Sequence, residues 1–579
     1  MLRIRFGQVE KHVPSAYCKK FNYRESSVSY PTEAIRFKDY PEGCLIELPF
    51  SSQENFYGGG LQMYSFNHKG RKLMLRANSD PVAPTGDSHA PVPFFVSTQG
   101  YGIYIDTARY AEISFGVQKS GADNAKDTSG ALQDSTDALY ATRTDGERVI
   151  SVWIPYAHGV DLYIMEGKTI LDVVCQYNML SGGGPENVPD YLFGTCYRCN
   201  TKSTAREIIN MIRYMDSHDL PVSVIGIEPG WHTHAYSCTY VWDEGRFPKQ
   251  DREELFTLCR EKGIHLNLWQ HCFVHPDSPI FDEIARAGCG SYRVWNGLIP
   301  DFTIPEVRQI FGDFQNANVV NDVVDSFKLD ECDGSDYARD WSFPNGTRFP
   351  NGMSGDVAHN LLGTLYMRTM TENALKDRPT FGEVRNAHAL CASYPFALYS
   401  DLYSQDAFIR GCVNAGFSGI LWNPELRDAK QGGAEELIRR LQNTVFSVRT
   451  CINAWYCGKA PWLDLDCEDA VRNMLKLRLS LKDDLAKAMK KYHEEGKPPM
   501  RALVCDYTDD PETYGIDDEY LFCEDMLVAP VKAGEMQRRV YLPKGQWETL
   551  DGRFVDRCGW IDYVCRDIED YPVFRRIEE

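Results

Sequence analysis

The stretch "YLFGTCYRCNTKSTAREIINMIRYMDSHDLPVSVIGIE", residues 191–228, decides the fold. A short β-type run, "YLFGTCYRC", gives way to "TAREIINMIRYMDSH", whose apolar residues recur at helical spacing, and then to the apolar run "VSVIGIE". Strand, helix, strand within so few residues is a parallel crossover unit. The rhythm continues through helical "REELFTLCREKG", strand-like "IHLNLWQ" and "VVDSFKLD", helical "AHNLLGTLYMRTMTENALKD", strand-like "TFGEV" and "FALYSD", helical "SQDAFIRGCVNAG", strand-like "SGILW" and helical "AEELIRRLQNTVFSV". About eight such units close a (β/α)8 barrel.

Outward from that barrel the text changes on both sides. Before residue 189 the segments "CLIELPF", "PVPFFVSTQGYGIYIDT", "RVISVWIPY" and "VDLYIM" alternate apolar and polar residues between Gly, Pro and Asn, as an antiparallel β-sandwich does. From about residue 500, "EYLFCEDMLVAPV" and "RRVYLPKGQWETL" read as a small β-domain. The expected division is 1–188 sandwich, 189–498 barrel and 499–579 C-terminal β-domain.

A formal charge of -20 with no Lys/Arg-rich run argues against phosphate-backbone binding, so no nucleic-acid partner is expected. No apolar stretch is long enough to span a bilayer, so no membrane partner is expected, and "MLRIRFGQVEKHV" lacks a signal-peptide core. The 19 cysteines, odd in number and scattered through apolar text, read as buried thiols of a reducing compartment, and a cytoplasmic location is expected. "CYRC" is a lone CxxC inside a strand-like run, and no metal site is expected from it. A homo-oligomer stays open as a partner arrangement.

In a parallel barrel the strand C-termini share one cavity. Here they carry Glu228 in "GIEPGW", Trp269, Gln270 and His271 in "LNLWQH", Asp330 in "FKLD", Arg385 in "GEVR", Asp401 in "LYSD" and Trp422 in "ILWNPE". Paired carboxylates with indoles that stack on sugar C–H faces are the equipment of a glycosidase, which needs no cofactor.

These segments resemble glycoside hydrolase family 31, in order and over nearly the whole chain. "FYGGGLQ" and "PVPFFVSTQGYGIYIDT" are similar to its N-terminal sandwich. "RFPKQDREELFTLCREKGIHLNLWQHCFVHPDSP" and "FKLDECD" are similar to its barrel, and "EDMLVAPVKAGEMQRRVYLPKGQW" to its C-terminal domain. The resemblance implies Asp330 as nucleophile, Asp401 as acid/base, and Arg385 and Lys328 as sugar-binding residues. Glu228 stands where the family often has Asp, "LYSD" replaces a Trp/Gly-rich "GD" context, and Asn453 stands where a histidine is usual.

The expectation is an exo-acting retaining α-glycosidase acting on a small carbohydrate, with α-D-glucosides first. α-Xylosidase, α-galactosidase and α-transglycosylase use the same residues, and a silent sugar-binding protein is the reading of another class. Substrate contacts are expected from Glu228, Trp231, Trp269, His271, Lys328, Arg385 and Trp422. Asp406 competes with Asp401 as proton donor, but reads better as the acidic residue opening a helix. Asp333, Gly334 and Asp336 miss the register of a calcium loop. His232 and His234 have metal-like spacing without a third ligand.

Overall fold

The structure is a computed structural model that describes every residue except 119–147, 336–340, 377, 402–403, 428–431 and 578–579. At its centre eight parallel strands form one sheet. In chain order they are Thr195–Arg198, Val224–Ile227, His265–Gln270, Val324–Leu329, Gly382–Val384, Phe396–Leu398, Leu426–Arg427 and Thr450–Asn453. The ring closes because the last strand pairs with the first, Thr195 opposite Thr450. On the other side of the ring a bridge joins Leu398 to Trp422.

Local chemistry accounts for the units. The first crossover helix, Ala205–Ser217, starts at a capping box in which Thr204 and Glu207 satisfy each other's backbone N–H groups. The second, Lys249–Lys262, stops at Gly263 in the left-handed conformation, φ 65°. "VVDSFKLD" yields the strand Val324–Leu329, buried on both faces as parallel barrel strands are.

Two departures from the sequence reading stand out. "SGILW" forms only the bridge at Trp422, and the seventh strand proper is Leu426–Arg427. The eighth, "TCIN", is too short to show a period and was not read as a strand.

The N-terminal part is two five-stranded antiparallel sheets face to face. Ile46, Leu48, Ile103, Ile113, Ile150, Val152 and Leu162 form the core between them. The outer face of one sheet packs on the helix Ile170–Leu180, where Phe94 stacks on Tyr177 with centroids 4.0 Å apart, and on the barrel, where Tyr57 stacks on Phe417 at 5.3 Å. This contact matters for the site, because it carries the loop bearing His89 over the barrel mouth.

The C-terminal part is a six-stranded sheet with a two-stranded ribbon. Main-chain carbonyls hold it to the barrel: Arg439 donates to Asp570 O at 2.7 Å and Gln442 to Ile568 O at 3.0 Å. All 19 cysteines are free thiols, most of them buried.

Candidate active site

The fourth strand aims its alternate residues Ser326 and Lys328 at the barrel axis, and Asp330 follows at the strand end. Asp330 N–H still donates to Gln270 O at 2.9 Å, so the ladder fixes where this carboxylate stands. Oδ2 accepts the Trp269 indole N–H at 2.6 Å, Oδ1 accepts Glu331 N–H at 2.8 Å, and Arg385 Nη1 lies 3.6 Å from Oδ1. Burial raises the carboxyl's pKa, and Arg385 works the other way. Every one of these contacts is a donor, the surroundings of an ionised carboxylate.

Asp401 follows the sixth strand. Arg385 Nη1 holds its Oδ2, and Arg427 Nη1 holds its Oδ1. One guanidinium nitrogen therefore touches both aspartates, which keeps their nearest oxygens within about 6 Å of each other; the carboxyl groups of a retaining pair stand about 5 to 5.5 Å apart. The Asp330 side chain is 10% exposed and that of Asp401 40%, so Asp401 is the outer of the two. Burial opposes ionisation of Asp401, but Arg385 and Arg427 outweigh it and hold the carboxyl below the ordinary range.

Beneath the pair the barrel axis is filled with matched charges. Arg198 pairs with Glu228, Lys328 Nζ lies 4.0 Å from Glu228 and 3.8 Å from Glu425, and Arg449 pairs with Glu383 at 2.9 Å. Three cations face three carboxylates. Burial lowers the Lys328 pKa, and Glu425 and Glu228 more than restore it. Asn267 joins the layers, accepting from Arg198 Nη1 at 2.7 Å and donating to Glu383 Oε2 at 2.9 Å. Gly226 in "VIGIE" makes room for this, since a Cβ there would sit 2.7 Å from Arg198 Cγ.

Cys196, Cys451 and a Glu383 oxygen lie within 4.8 Å of one another, near enough to share a cation. Yet Arg449 and Asn267 already engage the Glu383 carboxylate. The arrangement is that of a structural ion pair, and Glu383→Ala should destabilise the protein by about 3–5 kcal/mol, because it strands a buried arginine. Denaturant unfolding checks this, and a change under about 1 kcal/mol contradicts it.

The expected residues divide into two groups. Asp330, Asp401, Glu228, Lys328, Arg385 and Trp269 come together in one cluster of contacts at the strand ends. Trp231 and His271 stand behind Trp269: the Trp231 indole donates to Trp269 O at 2.7 Å, and His271 lies edge-on to the Trp269 ring at 5.4 Å. Both are fully buried and pack against the tryptophan. Trp422 is not brought to the cavity. Its indole donates to Phe408 O at 3.2 Å and packs on the helix Gln405–Asn414, on the outside of the barrel.

The competing readings resolve in the same geometry. Asp406, in the first turn of that helix, pairs with Lys532 of the C-terminal domain at 3.1 Å, away from Asp330. His232 bridges Trp269 O and Tyr240 N–H, and His234 donates from Nδ1 to Ser237 O at 2.8 Å. Burial lowers the His232 pKa to about 3, which keeps the ring neutral. Asp333 is engaged by Arg385 at 3.0 Å and His89 at 2.9 Å, while Asp336 lies outside the described residues.

Several site residues escaped the sequence reading. Arg198 and Glu425 sit in the quoted "CYRC" and "ILWNPE", and the strand-end rule applied to every residue there would have found them. Tyr399, whose ring lies 4.2 Å from Lys328 Nζ, was hidden in "LYSD". Tyr236, 5.4 Å from the Trp269 ring, and His89, which joins Asp333 to Ser400, come from loops with no local signal.

A (β/α)8 barrel carrying two carboxylates at its C-terminal face, with a β-sandwich before it and a β-domain after it, defines the class. The comparisons agree: residues 185–487 match the TIM-barrel domain of glycosyl hydrolases family 31, residues 496–578 its C-terminal domain, and residues 20–113 its N-terminal galactose mutarotase-like domain. The chain belongs to glycosyl hydrolase family 31. It is 24% identical over 543 residues to an alpha-xylosidase of Emericella nidulans, covering 90% of this chain and 64% of that one. It is 23% identical to alpha-glucosidase 2 of Bacillus thermoamyloliquefaciens, covering 96% and 70%. A dextranase structure from Flavobacterium johnsoniae, complexed with glucose, has the same fold, with TM-score 0.76, 21% identity and coverage of 93% and 67%.

Proposed function

We propose that the protein is an exo-acting retaining α-glycosidase, with α-D-glucosides as its first substrate class. The observation that carries this is the placement of Asp330 and Asp401 on one nitrogen of Arg385 at the C-terminal barrel face. A carboxylate oxygen of Asp330 bonds to the anomeric carbon as the bond to the leaving oxygen breaks, and that oxygen takes its electron pair and a proton from Asp401. Water then attacks the glycosyl-enzyme, its proton returns to Asp401, and Asp330 is released. Trp269 and Arg385 orient the nucleophile, while Glu228, Lys328 and Arg198 meet the hydroxyls of a neutral sugar.

The test is release of aglycone from a panel of nitrophenyl α-glycosides. Turnover of the α-glucoside supports the reading, and no turnover of any member overturns it in favour of a sugar-binding protein. Lys328 lies in an "FK-x-D" run of the kind found in α-xylosidases, so preference for the α-xyloside would move the sugar assignment and keep the mechanism. The free buried thiols support placing the enzyme in a reducing compartment, the cytoplasm.

Glu228→Asp shortens the arm that holds Arg198 and faces Lys328. The ratio of kcat/KM between α-glucoside and α-xyloside should shift by about tenfold or more, because misplaced polar groups in a buried site discriminate strongly. An unchanged ratio removes Glu228 from sugar recognition.

A further inference from the structure

Asp401 is held by two guanidiniums in the resting structure, and this sits awkwardly with donating a proton. Arg385 belongs to both carboxylates and is fixed from behind by Asp333 at 3.0 Å. Arg427 is different. It touches Asp401 Oδ1, the oxygen that Arg385 does not hold, and donates to Asp401 O at 3.1 Å. Its guanidinium lies 5.7 Å from the Trp455 ring centroid and 5.8 Å from that of Tyr456, a residue 58% exposed at the rim.

Two donors here have no acceptor among the described residues: Arg427 Nε and the Trp455 indole Nε1, both buried. The Arg427 side chain itself is 9% exposed. Unmatched buried donors are costly, and a guanidinium with a spare N–H edge fits a planar, two-oxygen acceptor. The outer side of the acid/base, where the leaving group departs, therefore carries a cation whose donors are incompletely used.

We propose that the leaving group of the natural substrate carries a carboxylate, and that Arg427 takes it in exchange for Asp401. This rests on the glycosidase reading and adds to it the chemistry of the aglycone; the sugar itself remains neutral. Binding removes one of the two cations from Asp401, so that its carboxylate can pick up a proton from water and deliver it to the leaving oxygen. Arg427 is thus a specificity-determining and positioning residue, and Asp330 and Asp401 keep their roles.

The experiment compares two α-glycosides of the sugar that the panel identifies, one of 4-hydroxybenzoate and one of its methyl ester, which differ in the anionic group but share the ring. The carboxylate glycoside should have the higher kcat/KM by about 10- to 100-fold, the range of a charged hydrogen-bonded pair. Arg427→Ala should bring the ratio to about one, and Arg427→Lys should restore part of it, since a lysine keeps the charge without the fork. Equal turnover of both glycosides by the unaltered enzyme overturns the inference and leaves the glycosidase reading standing. A loss in Arg427→Ala that is the same for both also overturns it, because that is what a merely structural arginine gives. Turnover of neither glycoside, nor of any panel member, overturns both.

Discussion

Asp330→Ala lowers kcat/KM for every α-glycoside by about 10⁴-fold or more, whatever the leaving group, as removal of a covalent nucleophile does. The reason is positional. The backbone ladder places Asp330 at the end of the fourth strand, and Trp269 and Glu331 N–H fix its two oxygens at 2.6 and 2.8 Å. Among the described residues no neighbouring carboxylate is poised to replace it. Asp333 is committed to His89 and Arg385, and burial followed by the charge of Asp330 raises the Glu331 carboxyl far above its usual range, so it is a poor anion. The measurement is kcat/KM against a series of aryl and alkyl α-glycosides. A loss that depends strongly on the leaving group would identify Asp330 as the proton donor instead.

Asp401→Ala behaves differently. Natural disaccharides, whose leaving alkoxide is basic, lose about 10²- to 10⁴-fold, the usual contribution of general acid catalysis. Activated glycosides such as a glycosyl fluoride still transfer the sugar to Asp330, because their leaving group needs no proton. Azide needs no general base, so adding it should speed turnover and give a glycosyl azide. The steep leaving-group dependence is expected from Asp401 and not from Asp406, which pairs with Lys532. If Asp406→Ala shows it, the assignment moves there.

Much of this fold is legible in the sequence. Barrel strands are continuous apolar runs separated by helical periods, and the rule that polar residues cluster at strand C-termini then selected Asp330, Asp401, Glu228 and Arg385, while Lys328 came from the family resemblance. What failed has physical causes. Tryptophans beside a strand end look alike in sequence, yet the direction of the side chain decides between cavity and exterior. Trp422 turned outward onto Phe408, and Trp231 turned in to brace Trp269. Arg427 lies in the short seventh strand, which has too few residues to show a period, so nothing marked its direction. His89 arrives from another domain, a long-range contact that no local pattern encodes.

The most direct measurement is mass spectrometry of the Asp401→Ala protein after incubation with an α-glycosyl fluoride, with peptide mapping of the added sugar. The account predicts one hexose or pentose on the peptide containing "FKLDECD", attached at Asp330. A sugar attached at any other residue, or an unlabelled enzyme that releases a β-anomer as its first product, would contradict it.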